Sequence, residues 1–150
     1  MKTGIILLVE DSVDDVELTR RIFRQCRIRN AIRVVSNGED AHAYLQGIGV
    51  YGNRDAHPEP VLTLLDLQLP RMKGWEVLSA LGRPQLTKLS PIVVLSGITD
   101  LKQVQECYKL GSTSFLIKPL STAEVLSLVN KSPRLVMSPA ENGEYELNCV

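Results

Sequence analysis

Four apolar segments of the sequence end in polar residues that could together carry out phosphoryl chemistry. These residues are Glu10 and Asp11, Asp66, Ser96, and Lys118. If the four segments are strands of one parallel sheet, their carboxyl ends share an edge, and open α/β sheets bind their ligands at that edge. Residues that are far apart in the chain could therefore form one site.

Three carboxylates at one sheet edge would repel one another. At roughly 4 Å and an effective dielectric near 20, each like-charge pair would cost about 4 kcal/mol. A divalent cation bound by Glu10, Asp11 and Asp66 would remove that repulsion. Because the ligands are all oxygen atoms, Mg²⁺ or Mn²⁺ fits better than Zn²⁺.

Asp66 is the candidate nucleophile of this group. Its carboxylate could attack phosphorus while the cation and the Lys118 ammonium neutralise the phosphoryl oxygens. The product would be an aspartyl phosphate, to which the Ser96 hydroxyl could donate a hydrogen bond. Each residue alone could be an ordinary turn residue, but polar groups at successive strand ends favour a functional site.

The elements that must position these residues alternate regularly along the chain. Apolar runs predict strands at residues 4–9, 31–35, 61–65, 91–95 and 114–117. Each is followed by a helical pattern, with N-terminal cap signals at Ser12, Asn37, Thr99 or Asp100, and Ser121. Ser12 with Asp15, and Ser121 with Glu124, resemble capping boxes. Strict strand–helix alternation predicts one doubly wound parallel sheet with helices on both faces.

The helical periodicity also predicts which side chains face the core. They are Val16, Thr19, Phe23 and Cys26; Ala41, Tyr44, Leu45 and Ile48; Trp75, Val77, Leu78 and Leu81; Leu101, Val104 and Tyr108, with Cys107 as a further candidate; and Val125, Leu128 and Val129.

Composition narrows the function classes. The chain has 150 residues, 17 basic and 17 acidic, so its net charge gives no general attraction to nucleic acid or anionic membrane. The N-terminal apolar run is too short for a signal peptide or a membrane span, which predicts a cytoplasmic protein. Three dispersed cysteines predict reduced thiols, and neither His42 nor His57 has partners at metal-ligand spacing.

Residues 131–150 fall outside the strand–helix alternation. Pro133 and Pro139 interrupt this segment, but residues 134–137 and 145–147 are apolar enough to pack on a core. Asn142-Gly143 is a hairpin-type turn signal. A disordered tail and an ordered extension both fit the sequence.

These motifs resemble those of a two-component response regulator receiver domain. The matching segments are residues 6–11, 66–70 with Gly74, 93–97, and Lys118-Pro119. The resemblance spans residues 4 to about 130, and it implies a receiver domain over residues 1–130 with an extension, a tail or dimerisation element, over residues 131–150. It also implies a flavodoxin-like (βα)5 fold with strand order 2-1-3-4-5.

The resemblance assigns a role to each candidate residue. It implies that Asp66 is the phosphoacceptor, that Lys118 binds the phosphoryl group, and that Ser96 and Phe115 are the switch residues. The magnesium ligands would be Asp11, Asp66 and the backbone carbonyl of Gln68, with Glu10 acting through water. The bond between Lys118 and Pro119 is expected to be cis. The family modifies itself rather than turning over a substrate, so we expect no enzyme in the usual sense.

A narrower resemblance is to single-domain regulators paired with phytochrome-type sensor kinases, based on the opening motif, the long loop at 49–60 and the short C-terminal segment. It implies a sensor histidine kinase and a downstream protein as partners, and a chain without an output domain. It also implies a homodimer through residues 100–117 and 131–150.

Two other functions remain open on sequence grounds. One is an aspartyl-phosphate phosphatase, although Gln68 stands where such enzymes usually carry a second acid. The other is a receiver-like module that binds partners without phosphorylation.

Overall fold

The computed structural model describes residues 3–97, 101–112 and 114–150. Its main sheet contains five parallel strands in the order β2-β1-β3-β4-β5, which confirms the predicted fold and strand order. The strands are β1 (Ile5–Val9), β2 (Ile32–Val35), β3 (Pro60–Asp66), β4 (Ile92–Ser96) and β5 (Ser114–Ile117).

Helices connect these strands on both faces of the sheet. They are α1 (Val13–Gln25), α2 (Gly38–Gln46), α3 (Gly74–Leu81), α4 (Arg83–Leu86), α5 (Leu101–Leu110) and α6 (Thr122–Lys131). The short helix α4 is not predicted from the sequence, because Gly82 and Pro84 indicate the end of the preceding helix there. In the structure Pro84 lies in the first turn of α4, where proline is tolerated because its missing N–H would have no partner in the helix. Among the helices of the described residues, none combines the length and apolar content needed to cross a membrane.

The two faces of the sheet belong to two separate hydrophobic clusters. Along β1, Leu7 and Val9 lie in one cluster, whereas Ile6 and Leu8 lie in the other. Successive side chains of a strand point to opposite faces, so a strand covered on both sides must be apolar at every position. This is why the runs at β1, β3 and β4 are continuous and not alternating.

Three predicted core positions are wrong. Ile48 lies beyond the end of α2, and Trp75 and Tyr108 are 43% and 42% exposed. On α5 the small thiol side chain of Cys107 is fully buried in place of the Tyr108 ring, which packs against Phe115 at the surface. The predicted caps Thr99 and Asp100, and the side chain of Leu101, lie outside the described residues.

The long loop at 49–60 is held by an aromatic cluster. The Tyr51 ring packs against Tyr44 on α2, and the His57 ring packs edge-on against both, with centroid distances of 5.0 to 6.0 Å. The Tyr44 hydroxyl also donates to the carbonyl of Pro58 at 2.9 Å. His57 therefore contributes to packing in this loop.

The C-terminal segment forms a hairpin that packs on the domain. Strands β6 (Leu135–Pro139) and β7 (Tyr145–Cys149) pair antiparallel, and the turn signal at Asn142-Gly143 is confirmed by positive φ angles at both residues. Leu147 of β7 is fully buried in one of the two hydrophobic clusters. Of the two alternatives for this segment, the ordered extension is the one observed.

Asn30 joins the hairpin to the amino-terminal end of the sheet. Its buried side-chain amide donates to the carbonyl oxygens of Gly4 and Leu147 at 2.8 and 2.9 Å. Its side-chain oxygen accepts from the Leu147 backbone N–H at 2.7 Å. Gly4 precedes β1 and Asn30 precedes β2, so the hairpin covers the sheet edge opposite to the carboxyl ends of the strands.

We expect Asn30→Ala to lower the free energy of unfolding by about 1–3 kcal/mol, because it leaves the backbone groups of the buried Leu147 and the half-buried carbonyl of Gly4 unpaired. Asn148→Ala is the matched control, since Asn148 is exposed on β7, and it should change stability by less than about 0.5 kcal/mol. Urea unfolding of both variants measures the difference. Equal stability of the two would show that Asn30 does not secure the hairpin.

Candidate functional site

The carboxyl ends of three strands bring Glu10, Asp66 and Lys118 into direct contact. Glu10 follows β1, Asp66 is the last residue of β3, and Lys118 follows β5. The Lys118 ammonium donates hydrogen bonds to Asp66 Oδ2 at 2.7 Å and to Glu10 Oε1 at 2.5 Å. Glu10 and Asp66 are both buried. The ammonium thus supplies part of the neutralisation that the sequence argument gave wholly to a metal ion.

A further carboxylate, Asp15, also contacts Lys118, and sequence reasoning missed it. Asp15 Oδ2 accepts from the Lys118 ammonium at 3.0 Å. The capping-box interpretation was half right: the backbone N–H of Asp15 donates to Ser12 Oγ at 3.3 Å, but its carboxylate turns to Lys118. The sequence did mark Asp15, as the last residue of the capping box and of the opening motif that starts at Leu8, but a first-turn acid is often explained by the helix dipole alone.

The Asp66 carboxylate is held at both of its oxygens. Oδ2 accepts from Lys118, and Oδ1 accepts from the backbone N–H of Gln68 at 3.0 Å. The Gln68 side chain turns away and donates to Gln103 of α5 at 3.0 Å. The proposed role of the Gln68 carbonyl as a metal ligand stays a prediction.

Gly74 explains why the chain can close so tightly behind Asp66. A Cβ atom at this position would overlap the backbone carbonyl of Asp66 and lie 2.9 Å from the Cα of Leu67. The Gly74 N–H donates to the Leu67 carbonyl at 3.1 Å, which fixes the start of α3 against the end of β3. A residue without a side chain is therefore required at this crossing.

Glu10, Asp11 and Asp66 fit a divalent cation. Each can place one carboxylate oxygen within 4.8 Å of the others, and Asp11 is the exposed member of the three. Glu10 Oε2 is buried and has no hydrogen-bond partner among the described residues. A buried carboxylate oxygen without a partner is unfavourable, and a hard cation is a suitable partner for it.

Ser96 and Phe115 are the predicted switch residues, and that role stays a prediction. Ser96 ends β4, and its buried hydroxyl has no hydrogen-bond partner within residues 3–97, 101–112 and 114–150. Its backbone carbonyl accepts from the Lys118 N–H at 2.8 Å. Phe115 of β5 is partly buried and meets the Tyr108 ring edge-on at 5.9 Å. The bond between Lys118 and Pro119 is cis, as expected.

The electrostatics of the cluster follow from burial and from the shared ammonium. Burial, together with the hydrogen bond and negative charge of Asp66, raises the pKa of Glu10 to about 9. Burial alone would lower the pKa of Lys118, but its hydrogen bonds to Asp66 and Glu10 raise it above its usual range. The pKa of Asp15 is lowered. Burial would raise it, but the hydrogen bond from Lys118, the largest of the opposing effects, outweighs burial together with the others. In the absence of a bound cation, Lys118 therefore stays charged and Glu10 keeps its proton at neutral pH.

Comparison with known proteins identifies the family that the chain resembles. A family model described as response regulator receiver domain matches residues 6–130. Response regulator Rcp1 of Synechocystis is 34% identical over 125 residues, which are 83% of this chain and 83% of that protein.

Solved structures of response regulators are also similar to this chain. The bacteriophytochrome response regulator AtBRR superimposes with a TM-score of 0.74 at 32% identity, over 87% of this chain and 92% of that chain. The Mn²⁺-bound form of Rcp1 has a TM-score of 0.67 at 32% identity, over 83% of this chain and 88% of that chain.

The raised pKa of Glu10 makes stability depend on pH. The folded state holds this proton up to about pH 9, whereas the unfolded chain releases it near 4.5, so raising the pH between these values favours unfolding. In the presence of a chelator, we expect the free energy of unfolding to fall between about pH 6 and 8.5, by about 1 kcal/mol per pH unit.

Glu10→Gln should flatten that dependence, since glutamine does not titrate. Chemical unfolding of both proteins across this pH range, with the difference taken between them, isolates the contribution of Glu10. Parallel pH profiles for the two proteins would contradict the assignment.

Proposed function

The chain belongs to the family of response regulator receiver domains, and from this premise we propose that Asp66 accepts a phosphoryl group from a sensor histidine kinase. The observation that carries the proposal is the Lys118 ammonium, 2.7 Å from the Asp66 carboxylate at the edge where Glu10 and Asp11 also lie. An ammonium at this position can stabilise the charge that a transferring phosphoryl group carries.

In the transfer, an Asp66 carboxylate oxygen forms a bond to phosphorus. The bond between phosphorus and the phosphohistidine nitrogen of the kinase breaks, and that nitrogen keeps the electron pair. The N–H of Gln68 and the ammonium of Lys118 orient the carboxylate, because each binds one of its two oxygens. Lys118 then remains beside the new phosphoryl oxygens.

The acidic cluster and the Mn²⁺-bound form of Rcp1 support a divalent cation in this site. We propose that Mg²⁺ serves in this chain, bound by Asp11, Asp66 and the Gln68 carbonyl, with Glu10 acting through water. The cation would add positive charge next to the phosphoryl oxygens, which strengthens the effect of Lys118.

Ser96 and Phe115 would report the phosphorylated state to other proteins. The Ser96 hydroxyl can donate to a phosphoryl oxygen on Asp66, and it has no competing partner among the described residues. Movement of β4 toward Asp66 would change the packing of Phe115 against Tyr108 on the outer surface of α5. A downstream protein could read that surface. Similarity to the bacteriophytochrome response regulator AtBRR supports a phytochrome-type kinase as the donor.

Repeated turnover as a phosphatase is not favoured by the geometry. The position two residues after Asp66 is Gln68, whose side chain cannot act as a general acid and is bonded to Gln103. The proposed chemistry is therefore limited to the chain's own modification and its reversal.

We expect the purified chain to gain the mass of one phosphoryl group when it is incubated with Mg²⁺ and acetyl phosphate. Asp66→Asn should abolish the gain, because an amide is not a nucleophile at neutral pH. Asp14→Asn is the matched control, since Asp14 is an exposed acid on α1, and it should leave the gain intact. Intact-protein mass spectrometry measures all three, and a gain that survives Asp66→Asn would contradict the proposal.

We also propose that the chain forms a homodimer through residues 100–117 and 131–150. Support comes from a mostly apolar groove of about 770 Å³ that runs between the edge strand β5, helix α6 and residues 133–135. Tyr108, Val136 and Val150 expose apolar surface within the same two segments. A second copy of the chain would cover this surface.

Because Leu147 is fully buried, deleting the hairpin would open the core, so surface substitutions test the dimer better. We expect Tyr108→Glu and Val136→Glu each to raise the dimer dissociation constant Kd by at least tenfold, because each places a charge in an apolar interface. Val50→Glu, at an exposed residue of a short 3-10 helix outside these segments, is the control. Sedimentation with and without acetyl phosphate measures the effect, and a wild-type chain that is monomeric under both conditions would contradict it.

A further inference from the structure

We propose that Asp15 is a positioning residue for the phosphoryl transfer, which holds the Lys118 ammonium beside Asp66 when a cation takes up the oxygens of Glu10 and Asp66. The inference rests on the proposed function, and it gives Asp15 a role beyond the helix cap that the sequence predicted for it. Asp15 acts through Lys118 and does not touch the phosphoryl group itself.

The Lys118 ammonium uses all of its donors in the structure. An ammonium group has three N–H bonds, and here one carboxylate accepts from each: Asp66, Glu10 and Asp15. The two shortest contacts, at 2.7 and 2.5 Å, go to Asp66 and Glu10. The Lys118 side chain is 24% exposed and that of Asp15 is 42% exposed, so water screens the contact between them in part.

Two of these three partners are also residues of the cation cluster. Glu10 and Asp66, with Asp11, bring carboxylate oxygens within 4.8 Å of one another, and Asp15 is not in this group. A cation and the ammonium therefore compete for the same two carboxylates. Of the three partners of Lys118, Asp15 is the one that the cation does not need.

This division gives Asp15 a specific task. When Glu10 and Asp66 turn oxygens toward the cation, Lys118 needs a remaining anionic partner, or its charge stays unpaired in a largely buried position. The Asp15 carboxylate supplies that partner from the first turn of α1 and keeps the ammonium next to Asp66. The lowered pKa of Asp15 agrees with a carboxylate that is charged throughout the neutral range.

The helix dipole alone does not account for the contact. Asp14 and Asp15 both lie in the acidic first turn of α1, where any acid would be favoured. Asp14 is exposed and forms no ion pair with another described residue, whereas Asp15 reaches Lys118, which follows a different strand. The adjacent pair therefore offers a matched comparison of equal charge removal at two positions.

The test is a double-mutant cycle on Mg²⁺ affinity, measured by isothermal titration calorimetry on the full chain. We expect Asp15→Asn to weaken Mg²⁺ binding about three- to tenfold, the range for losing a charge-assisted contact that is partly screened. Asp14→Asn should change the affinity by less than about twofold, and Asp15→Glu, which keeps the charge, should restore most of it.

The second half of the cycle removes Lys118. In a Lys118→Met background, Asp15→Asn should change Mg²⁺ affinity by less than about twofold. If circular dichroism shows that the methionine variant is unfolded, Lys118→Gln replaces it as the background. An equal loss with and without Lys118 would show that Asp15 acts only by its charge on the cation, and it would overturn the proposal. An unchanged affinity of Asp15→Asn in the wild-type background would also overturn it.

Phosphorylation provides a separate readout. At saturating Mg²⁺, Asp15→Asn should slow modification by acetyl phosphate about three- to tenfold, and the Lys118-free background should show no further loss. A wild-type chain that takes no phosphoryl group would refute the proposed function. The calorimetric cycle would still decide whether Asp15 positions Lys118.

Discussion

The structure of the site depends on one partly buried positive charge, the Lys118 ammonium, placed among carboxyl groups. The Asp66 carboxylate could not lie buried beside Glu10 without a cationic partner, because an unpaired buried charge is strongly unfavourable. Lys118 resolves this with three hydrogen bonds of 2.5 to 3.0 Å. Lys118 orients the Asp66 carboxylate for a phosphoryl group. Because it also binds Glu10 and Asp66, an incoming metal ion competes with it for these two residues.

The rest of the fold positions the residues of this charge cluster. Parallel pairing places the ends of β1, β3 and β5 on one edge, so that the Lys118 side chain, which follows β5, can reach over β4 to Asp66 and Glu10. The absence of a side chain at Gly74 lets α3 begin directly behind Asp66. At the other edge, Asn30 and the C-terminal hairpin close the amino-terminal ends of the strands. One edge of the sheet is thus free for chemistry while the other is closed by packing.

The sequence predicted the sheet well, because strands buried on both faces produce continuous apolar runs whose ends are marked by polar residues. It also predicted that Glu10, Asp66 and Lys118 would converge, since parallel topology requires it. It failed where side-chain direction decides the outcome. Trp75 and Tyr108 follow the helical period but are exposed, and on α5 the smaller Cys107 is buried in place of Tyr108. Asp15 was missed for a related reason, since a first-turn acid has the same pattern whether it serves the helix or a distant lysine.

The central claim is that Asp66 is the acid that becomes phosphorylated. Several acids lie at this edge of the sheet, but the Asp66 carboxylate is the one that Lys118 and the Gln68 N–H bind together. The most direct measurement is to treat the phosphorylated chain with borohydride, which reduces an acyl phosphate to an alcohol, and to locate the modified residue by peptide mass spectrometry. The account predicts homoserine at position 66, with Glu10, Asp11 and Asp15 unchanged. Reduction at one of those three residues, or a phosphorylated chain with no reduced aspartate, would contradict it.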